Sequence, residues 1–595
     1  MIVAGVLQTN FGRVTVKDIR TETDAGLTLS GLLYVPDTAT VENPAPAVVV
    51  VHGWWKTRES QASTSLELAR RGFVVFNIDM YGHGNSSEQK FNFVDSYNAL
   101  EMLSKLPYVD SERLGITGHS MGGKCCNSVT QWANQGGSVD VAAMVIAGTD
   151  PVYQDENGNW VNIYGNRDVC LIAARYDDFE YHGSEIHGPW YNAPRDYAST
   201  DRAKSFVNYG AAPEDCTEDV VVGKMYEKEI DGKTAHRVLY TPSQIHSWFV
   251  LSPESTGYTV GFLQDTLDAP NPIDPSNQLG FIKELFTALG LVGMFMFIVS
   301  FVYVMVDTEP FACLKARETV KPLPKPKGAG WAWFWGGIAV TGLVSCISLF
   351  PIATLILDAK VNPLLPVGQA RALGWWGALS GAVTLLMSFM GYHFYSKKHG
   401  VDLRERGVIM PKGTIGKTIL LGVVTVVAAY SFVYIADYFF KVDFRFWTFA
   451  ARAFGPSKAM YVLAALPLFL MYYIPNSIAT NCFRYNELGR KEWVNTAVVA
   501  LTNAIGVIVL LAIQYGTFII TGFSMWHASG AIKSAIGWTY AIVVILILAP
   551  IVARKIYKRT NNPYLAGIIN GAMVAIISTT STTSVLMTLS GYIPG

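Results

Sequence analysis

Metal signatures, disulfide frameworks and charge excess are all missing from this chain of 595 residues. No C-x-x-C pair, zinc spacing or EF-hand loop occurs, so the residues call for neither a structural metal nor a cofactor. The seven cysteines are odd in number and scattered over the whole length, which argues against a disulfide framework; Cys125 and Cys126 read as small buried hydrophobes. Lys and Arg total 46, as do Asp and Glu, and a net charge of zero leaves no electrostatic footprint for nucleic acid. Internal repeats and low-complexity tracts are also lacking, apart from a proline-rich stretch, Lys321 to Gly328, that reads as a stiff linker.

A full export signal is missing too. Met1 to Leu7 is apolar, yet too short for a signal peptide or an anchor. We read residues 1–9 as the remnant of a signal anchor, which would add a further span; otherwise they simply open a soluble domain that faces the cytoplasm or is exported unaided.

What is present divides in two near Asn277. Residues 10–276 mix charge with short apolar strands and amphipathic helices, as in a soluble α/β domain. Residues 277–595 are a series of apolar stretches, each able to cross a hydrocarbon core that needs about 20 helical residues. The stretches fall at 285–306, 329–356, 372–395, 415–436, 459–480, 493–515, 535–553 and 564–589, which predicts an all-α transmembrane bundle of about eight helices and a multi-pass protein of the cell membrane. The first, third, fifth and seventh connections are rich in Lys and Arg, among them Lys321, Lys397, Lys491 and Lys555, so they are assigned to the cytoplasm. The second and sixth connections are poor in basic residues, but the fourth carries Lys441, Arg445, Arg452 and Lys458 and weakens the contrast. An even number of spans then puts the N-terminal domain outside the cytoplasm.

The most specific motif is Gly118-His119-Ser120-Met121-Gly122, a G-x-S-x-G between the strand-like Arg113 to Thr117 and the helix-like Gly123 to Asn134. A serine swung out on a strained strand-to-helix turn needs near-absent side chains two positions before and after it. Upstream, Ala47 to Val51 is an unbroken apolar run ending in His52-Gly53-Trp54-Trp55. Phe73 to Ile78 is the next buried strand, followed by Asp79-Met80-Tyr81-Gly82-His83-Gly84-Asn85-Ser86. With helices at Ser65 to Arg71 and Asp95 to Leu106 between them, strand and helix alternate as a parallel sheet requires.

Over about residues 10–265 the chain resembles the α/β-hydrolase family, in its His-Gly turn, its D-x-x-G-x-G-x-S turn and its nucleophile elbow. The resemblance implies a mostly parallel sheet flanked by helices and a serine esterase or lipase mechanism. Ser120 would be the nucleophile, followed in chain order by an acid and a histidine. Asp177, after the strand Val169 to Ala174, matches the family's G-x-x-D with Ala174 replacing the glycine; Asp178 is the near alternative and Asp150 a third choice. His246, beyond the last strand Val238 to Tyr240, matches the base, while His52 and His119 read as structural. The oxyanion hole would be the backbone N–H groups of Met121 and, by resemblance, Trp54, each worth about 3 kcal/mol to acyl transfer.

The Asp150 to Val169 stretch is too short for a large cap, so the site is expected to be fairly open. Phe179 to Tyr209, rich in aromatics, borders the pocket or packs onto the domain; His182 and His187 beside Glu180 and Glu185 have no recognised metal spacing. In the membrane half, Gly377-x-x-x-Gly381 and Gly567-x-x-x-Gly571 read as helix contacts, and Asn476, Asn495, Asn503, Gln514 and Asn570 as interhelical hydrogen-bonding groups. Polar residues at the outer ends of spans, Asp437, Asp443, Arg445 and the run from Ser578 to Ser584, suggest a lipid-accessible vestibule feeding Ser120. Two function classes follow: a membrane-bound hydrolase of an ester, thioester or amide, and an acyltransferase or transport-coupled enzyme using a lipid-linked substrate. A polar cavity deep in the bundle would favour the second. A catalytically dead binding module is disfavoured because nucleophile, acid and base occur in order. The substrate is an ester, amide or lipid-like molecule, membrane lipid is the partner, and oligomeric state is not determined by the sequence.

Overall fold

The computed structural model describes the chain except residues 24, 89–92, 183–191, 360–361, 525–529 and 582–595. Its N-terminal part is built on a nine-stranded sheet in the order β1-β2-β4-β3-β5-β6-β7-β9-β8. The strands are β1 (Val14–Glu22), β2 (Thr28–Pro36), β3 (Ala45–Val51), β4 (Val74–Asp79), β5 (Val109–His119), β6 (Ala143–Ala147), β7 (Asp168–Ile172), β8 (Tyr226–Ile230) and β9 (Lys233–Tyr240). From β4 through β3, β5, β6 and β7 to β9 all neighbours run parallel; β1, β2 and β8 add antiparallel edges.

The central strand shows why. β3 is buried along its whole length, as a strand covered on both faces must be. Val49 and Val51 join the core beneath helices α3 (Val94–Ser104), α4 (Met121–Asn134) and α5 (Asp201–Val207). Val48 and Val50, one residue out of phase, join the core beneath α2 (Ala62–Arg70) and α6 (Pro253–Thr266). Pro46, which cannot donate to a ladder, sits where the pairing with β5 shifts register. Because β3 lies between β4 and β5, the crossovers leave it in opposite directions, and crevices for ligands form at the carboxyl ends of strands at such a switch point.

The C-terminal part holds eight helices long and apolar enough to cross a membrane, among the described residues: α7 (Gly280–Met305), α8 (Ala329–Leu357), α9 (Gly368–Phe394), α10 (Thr414–Phe440), α11 (Pro456–Ile478), α12 (Glu492–Thr521), α13 (Gly530–Thr560) and α14 (Pro563–Thr580). They correspond to the eight apolar runs of the sequence, except that beyond Ser581 the last run lies outside the described residues. Both small-residue motifs clasp the same neighbour. A Cβ on Gly377 would stand 3.3 Å from Tyr472 and one on Gly381 would strike the Met471 carbonyl, so α9 approaches one side of α11. From the other side, a Cβ on Gly567 would lie 2.7 Å from the Ile474 backbone and one on Gly571 2.8 Å from Leu470, so α14 packs equally close. Asn503 on α12 donates to the Leu546 carbonyl at 2.8 Å and Asn570 on α14 to the Ala549 carbonyl at 2.9 Å, both on α13.

Two further elements stand outside the eight spans. Residues 2–8 form a short helix, α1 (Ile2–Gln8), that packs on α10, with Gly5 against Phe440 and Gln8 Nε2 donating to the Lys441 carbonyl at 2.5 Å. The fourth connection folds into a hairpin, β10 (Phe444–Phe446) and β11 (Phe449–Ala451). Its arginines are spent on ion pairs: Arg445 with Asp443 at 2.6 Å, and Arg452 with Glu59 of the N-terminal domain at 3.0 Å.

Candidate active site

Ser120 stands alone between β5 and α4, with φ 58° and ψ −115°, a conformation that strains a non-glycine residue by about 1–3 kcal/mol. Its neighbours hold it there. The Ser120 N–H donates to the Ala147 carbonyl at 2.8 Å, and its own carbonyl accepts from Thr149 Oγ1 at 2.5 Å. A Cβ on Gly118 would collide with the Gly122 carbonyl, and one on Gly122 with the Val51 carbonyl, so only glycine lets the turn close. Met121 opens α4, and first-turn N–H groups have no acceptor within their own helix. Trp54, in the turn after β3, lines the same cavity as Met121 and Ser120.

His246 lies beyond β9 and is buried. Its Nδ1 is 2.9 Å and 2.8 Å from the two carboxylate oxygens of Asp177, in the loop after β7. Burial alone would raise the Asp177 carboxyl, but the His246 imidazole and the N–H groups of Phe179 and Glu180, at 3.0 Å and 2.8 Å, hold it below the usual carboxylate range. The Phe179 ring stacks on His246 with centroids 4.6 Å apart. An imidazole so clamped presents its other nitrogen in a fixed direction.

The alternative acids are engaged elsewhere. Asp178 Oδ1 accepts the backbone N–H of His246 at 3.2 Å, and Oδ2 accepts the hydroxyl of Tyr515 on α12 at 2.6 Å. Burial and the adjacent Asp177 charge push Asp178 up to about 7. Asp150 pairs with Arg202, and burial pushes its carboxyl up to about 6. His52 Nε2 accepts from the Met80 N–H at 3.2 Å, and burial lowers the basicity of both His52 and His119. His182 packs against Phe518 and Phe523, while His187 and Glu185 lie outside the described residues.

Ser120 and His246 open on a cavity of about 480 Å³ whose other walls come from the membrane half. Leu373 at the start of α9, Trp447 of the hairpin, Trp538, Ile542 and Ile545 on α13, and Ile577 on α14 all line it. The expectation of a fairly open site is therefore corrected: helices α9, α13 and α14 and the β10–β11 hairpin line the cavity opposite the hydrolase. Several bonds fix this roof. Trp55 Nε1 donates to Ser534 Oγ at 2.8 Å, Trp447 Nε1 to the Ser247 carbonyl at 2.7 Å, and Lys533 Nζ to the Phe179 carbonyl at 2.5 Å. Sequence reading did not single out Lys56, Tyr515, Lys533 or Trp538, because their relevance comes from partners hundreds of residues away. The one available signal was the aromatic density of Trp54-Trp55, directly before Lys56.

Residues 46–167 match the model of the α/β-hydrolase fold family. A stretch of 103 residues is 35% identical to bis(hydroxyethyl) terephthalate hydrolase of Streptomyces coelicolor, covering 16% of this chain and 30% of that protein. Another comparison gives 31% identity over 83 residues to an uncharacterised protein of Mycobacterium tuberculosis, covering 14% of this chain and 24% of that one. The chain thus spans less than a third of the length of these curated relatives. Among solved structures, a bacterial heroin esterase is 15% identical with a TM-score of 0.30, covering 45% of this chain and 89% of its own. An esterase from Mycobacterium marinum is 16% identical with a TM-score of 0.31, covering 46% and 87%. The family match and the sheet with its elbow agree: the N-terminal part of the chain is an α/β-hydrolase domain, joined to a membrane domain of helices.

Proposed function

We propose that the protein is a membrane-bound serine hydrolase that cleaves an ester, thioester or amide through an acyl-enzyme, and that its substrate reaches Ser120 from the membrane domain. The contact of His246 Nδ1 with the buried Asp177, together with the cavity that His246 and Ser120 both line, carries this reading. His246 Nε2 takes the Ser120 hydroxyl proton as Oγ attacks the carbonyl carbon, and Asp177 stabilises the imidazolium that forms. The oxyanion is held by the backbone N–H groups of Met121 and Trp54. Collapse of the tetrahedral intermediate breaks the bond to the leaving group, which receives the proton from His246; water, activated by the same nitrogen, then releases the acid.

The walls of the cavity support a lipid-like substrate. Deep in the bundle they are Leu373, Ala541, Ile542, Ile545 and Ile577, an apolar surface suited to a hydrocarbon chain rather than to a polar solute or ion. A lipid alcohol or amine entering along that wall in place of water would turn the same chemistry into acyl transfer, the second reading. A catalytic domain outside the cytoplasm is supported by the arrangement of loops. Arg406 donates to the Pro322 carbonyl at 2.9 Å and Tyr557 to the Arg406 carbonyl at 3.2 Å, so basic connections gather at one end of the bundle. The hydrolase docks at the other.

A fluorophosphonate probe tests the nucleophile: it should label the wild-type protein and leave Ser120→Ala unlabelled. Equal labelling of the two would end the serine-hydrolase reading. Turnover of an ester should fall by about 10⁴-fold or more in the variant.

A further inference from the structure

The cavity beside Ser120 is walled both by apolar residues of the bundle and by several cations. Of the charged residues that line it among the described residues, Lys56, Lys124, Arg445 and Lys533 are cations and Glu180 is the sole carboxylate. Two of the cations are occupied: Arg445 pairs with Asp443, and Lys533 donates to the Phe179 carbonyl. Lys56 is different. Its Nζ is shielded from solvent and has no hydrogen-bond partner among the described residues. It follows Trp54 and Trp55 in the turn after β3, and the Arg445 guanidinium is close enough to repel it. A buried ammonium without a partner is costly, and a second cation nearby makes it more so, unless an anion joins them.

We propose that the cavity takes an anionic amphiphile, with its carboxylate or phosphate on Lys56 and Arg445 and its hydrocarbon chain along Ile542, Ile545 and Ile577. This deepens the hydrolase reading and rests on it for the chemistry, since the acid group would be held within a few residues of the oxyanion hole while the chain lies in the bundle. Burial and Arg445 push the Lys56 ammonium down to about 7, so an arriving anion also restores charge to a group that is otherwise poorly solvated. The apolar wall supplies the rest of the affinity, at about 0.8 kcal/mol per buried CH₂.

Binding can be measured without turnover. Full-length protein in phosphatidylcholine nanodiscs is titrated with dodecyl phosphate, dodecan-1-ol and inorganic phosphate, with empty nanodiscs subtracted. Dodecyl phosphate should bind roughly 10-fold or more tightly than either of the others. Lys56→Gln should shrink the preference for dodecyl phosphate over dodecan-1-ol by roughly 10-fold, and Lys56→Arg should largely keep it. Equal affinity for dodecyl phosphate and dodecan-1-ol in the unmutated protein would overturn the anion half of the proposal. Inorganic phosphate binding as tightly as dodecyl phosphate would overturn the amphiphile half. Neither result depends on catalysis, so a failed Ser120→Ala labelling experiment and a failed binding experiment point to different errors.

Discussion

Asp177 and Asp178 are adjacent, both buried, and both bonded to His246, yet their bonds differ in kind. Asp177 meets the imidazole Nδ1, whereas Asp178 meets the backbone N–H and the Tyr515 hydroxyl. Asp177→Asn should therefore cut the rate of ester hydrolysis by about 10⁴-fold with little change in folding, because the imidazole loses its orienting anion. Asp178→Asn and Asp150→Asn should each cost less than about 10-fold; if the Asp178 variant is the damaged one, the acid is displaced by one residue. Asp178 also predicts a pH effect. Its carboxyl is pushed up to about 7, so the folded chain holds a proton there that the unfolded chain releases above about pH 4. Stability falls as pH rises between those two values, by at most about 1.4 kcal/mol per pH unit from this group. Asp178→Asn removes that slope, so its Tm relative to wild type should be higher at pH 8 than at pH 5. A constant difference across that range would show that Asp178 ionises normally.

Among the elements, the β10–β11 hairpin binds the two halves together. Arg452 reaches Glu59, whose carboxyl burial alone would raise but which Arg452 and Arg58 hold well below the carboxylate range. In Arg452→Ala, Glu59 keeps Arg58, at 3.3 Å, and the Thr57 hydroxyl, at 2.6 Å, but loses its ion pair to the membrane half, and we expect a loss of about 3 kcal/mol, as for a broken buried ion pair. The readouts are a lower Tm and faster proteolysis of residues 267–279, between α6 and α7. A variant with wild-type Tm and wild-type proteolysis would mean that the hairpin merely touches the hydrolase. In sequence, the same arginines blurred the count of basic residues across connections. Their ion pairs account for them: Arg445 is paired with Asp443 and Arg452 with Glu59, so neither counts as a free basic residue at a span end.

For the whole molecule, the hydrolase is turned with its active site towards the bundle. We expect protease added outside spheroplasts to cleave the hydrolase and spare the loops around Lys321, Lys397, Lys491 and Lys555. A membrane-impermeant thiol reagent should likewise fail to modify a cysteine introduced beside Lys397. The opposite pattern would place Ser120 in the cytoplasm and leave the cavity mouth facing lipids of the inner leaflet.

Much of this was readable along the chain, because the signals are local. The elbow is a backbone constraint within five residues, the β3 run is apolar because both faces are covered, and each span is a continuous apolar stretch. Strand ends were less legible: β5 starts at Val109, which pairs with Ala45, but the polar residues after it bulge out of the ladder until pairing resumes at Leu114, so no continuous apolar run marks its start. The edge strands β1 and β8 escaped because their side chains are mostly exposed or half-buried, so hydrogen bonding to a neighbour decides them more than composition does. The acid could be narrowed to Asp177, Asp178 or Asp150, but the choice depends on which carboxylate a loop turns towards His246. Only the tertiary structure decided that the site is roofed. Lys56 in sequence is an ordinary charged residue of a turn; it becomes a buried cation because α13 and the β10–β11 hairpin, some 390 to 490 positions away, close over it. Local pattern determines which elements form, whereas burial and electrostatics at a site are sums over everything packed around it.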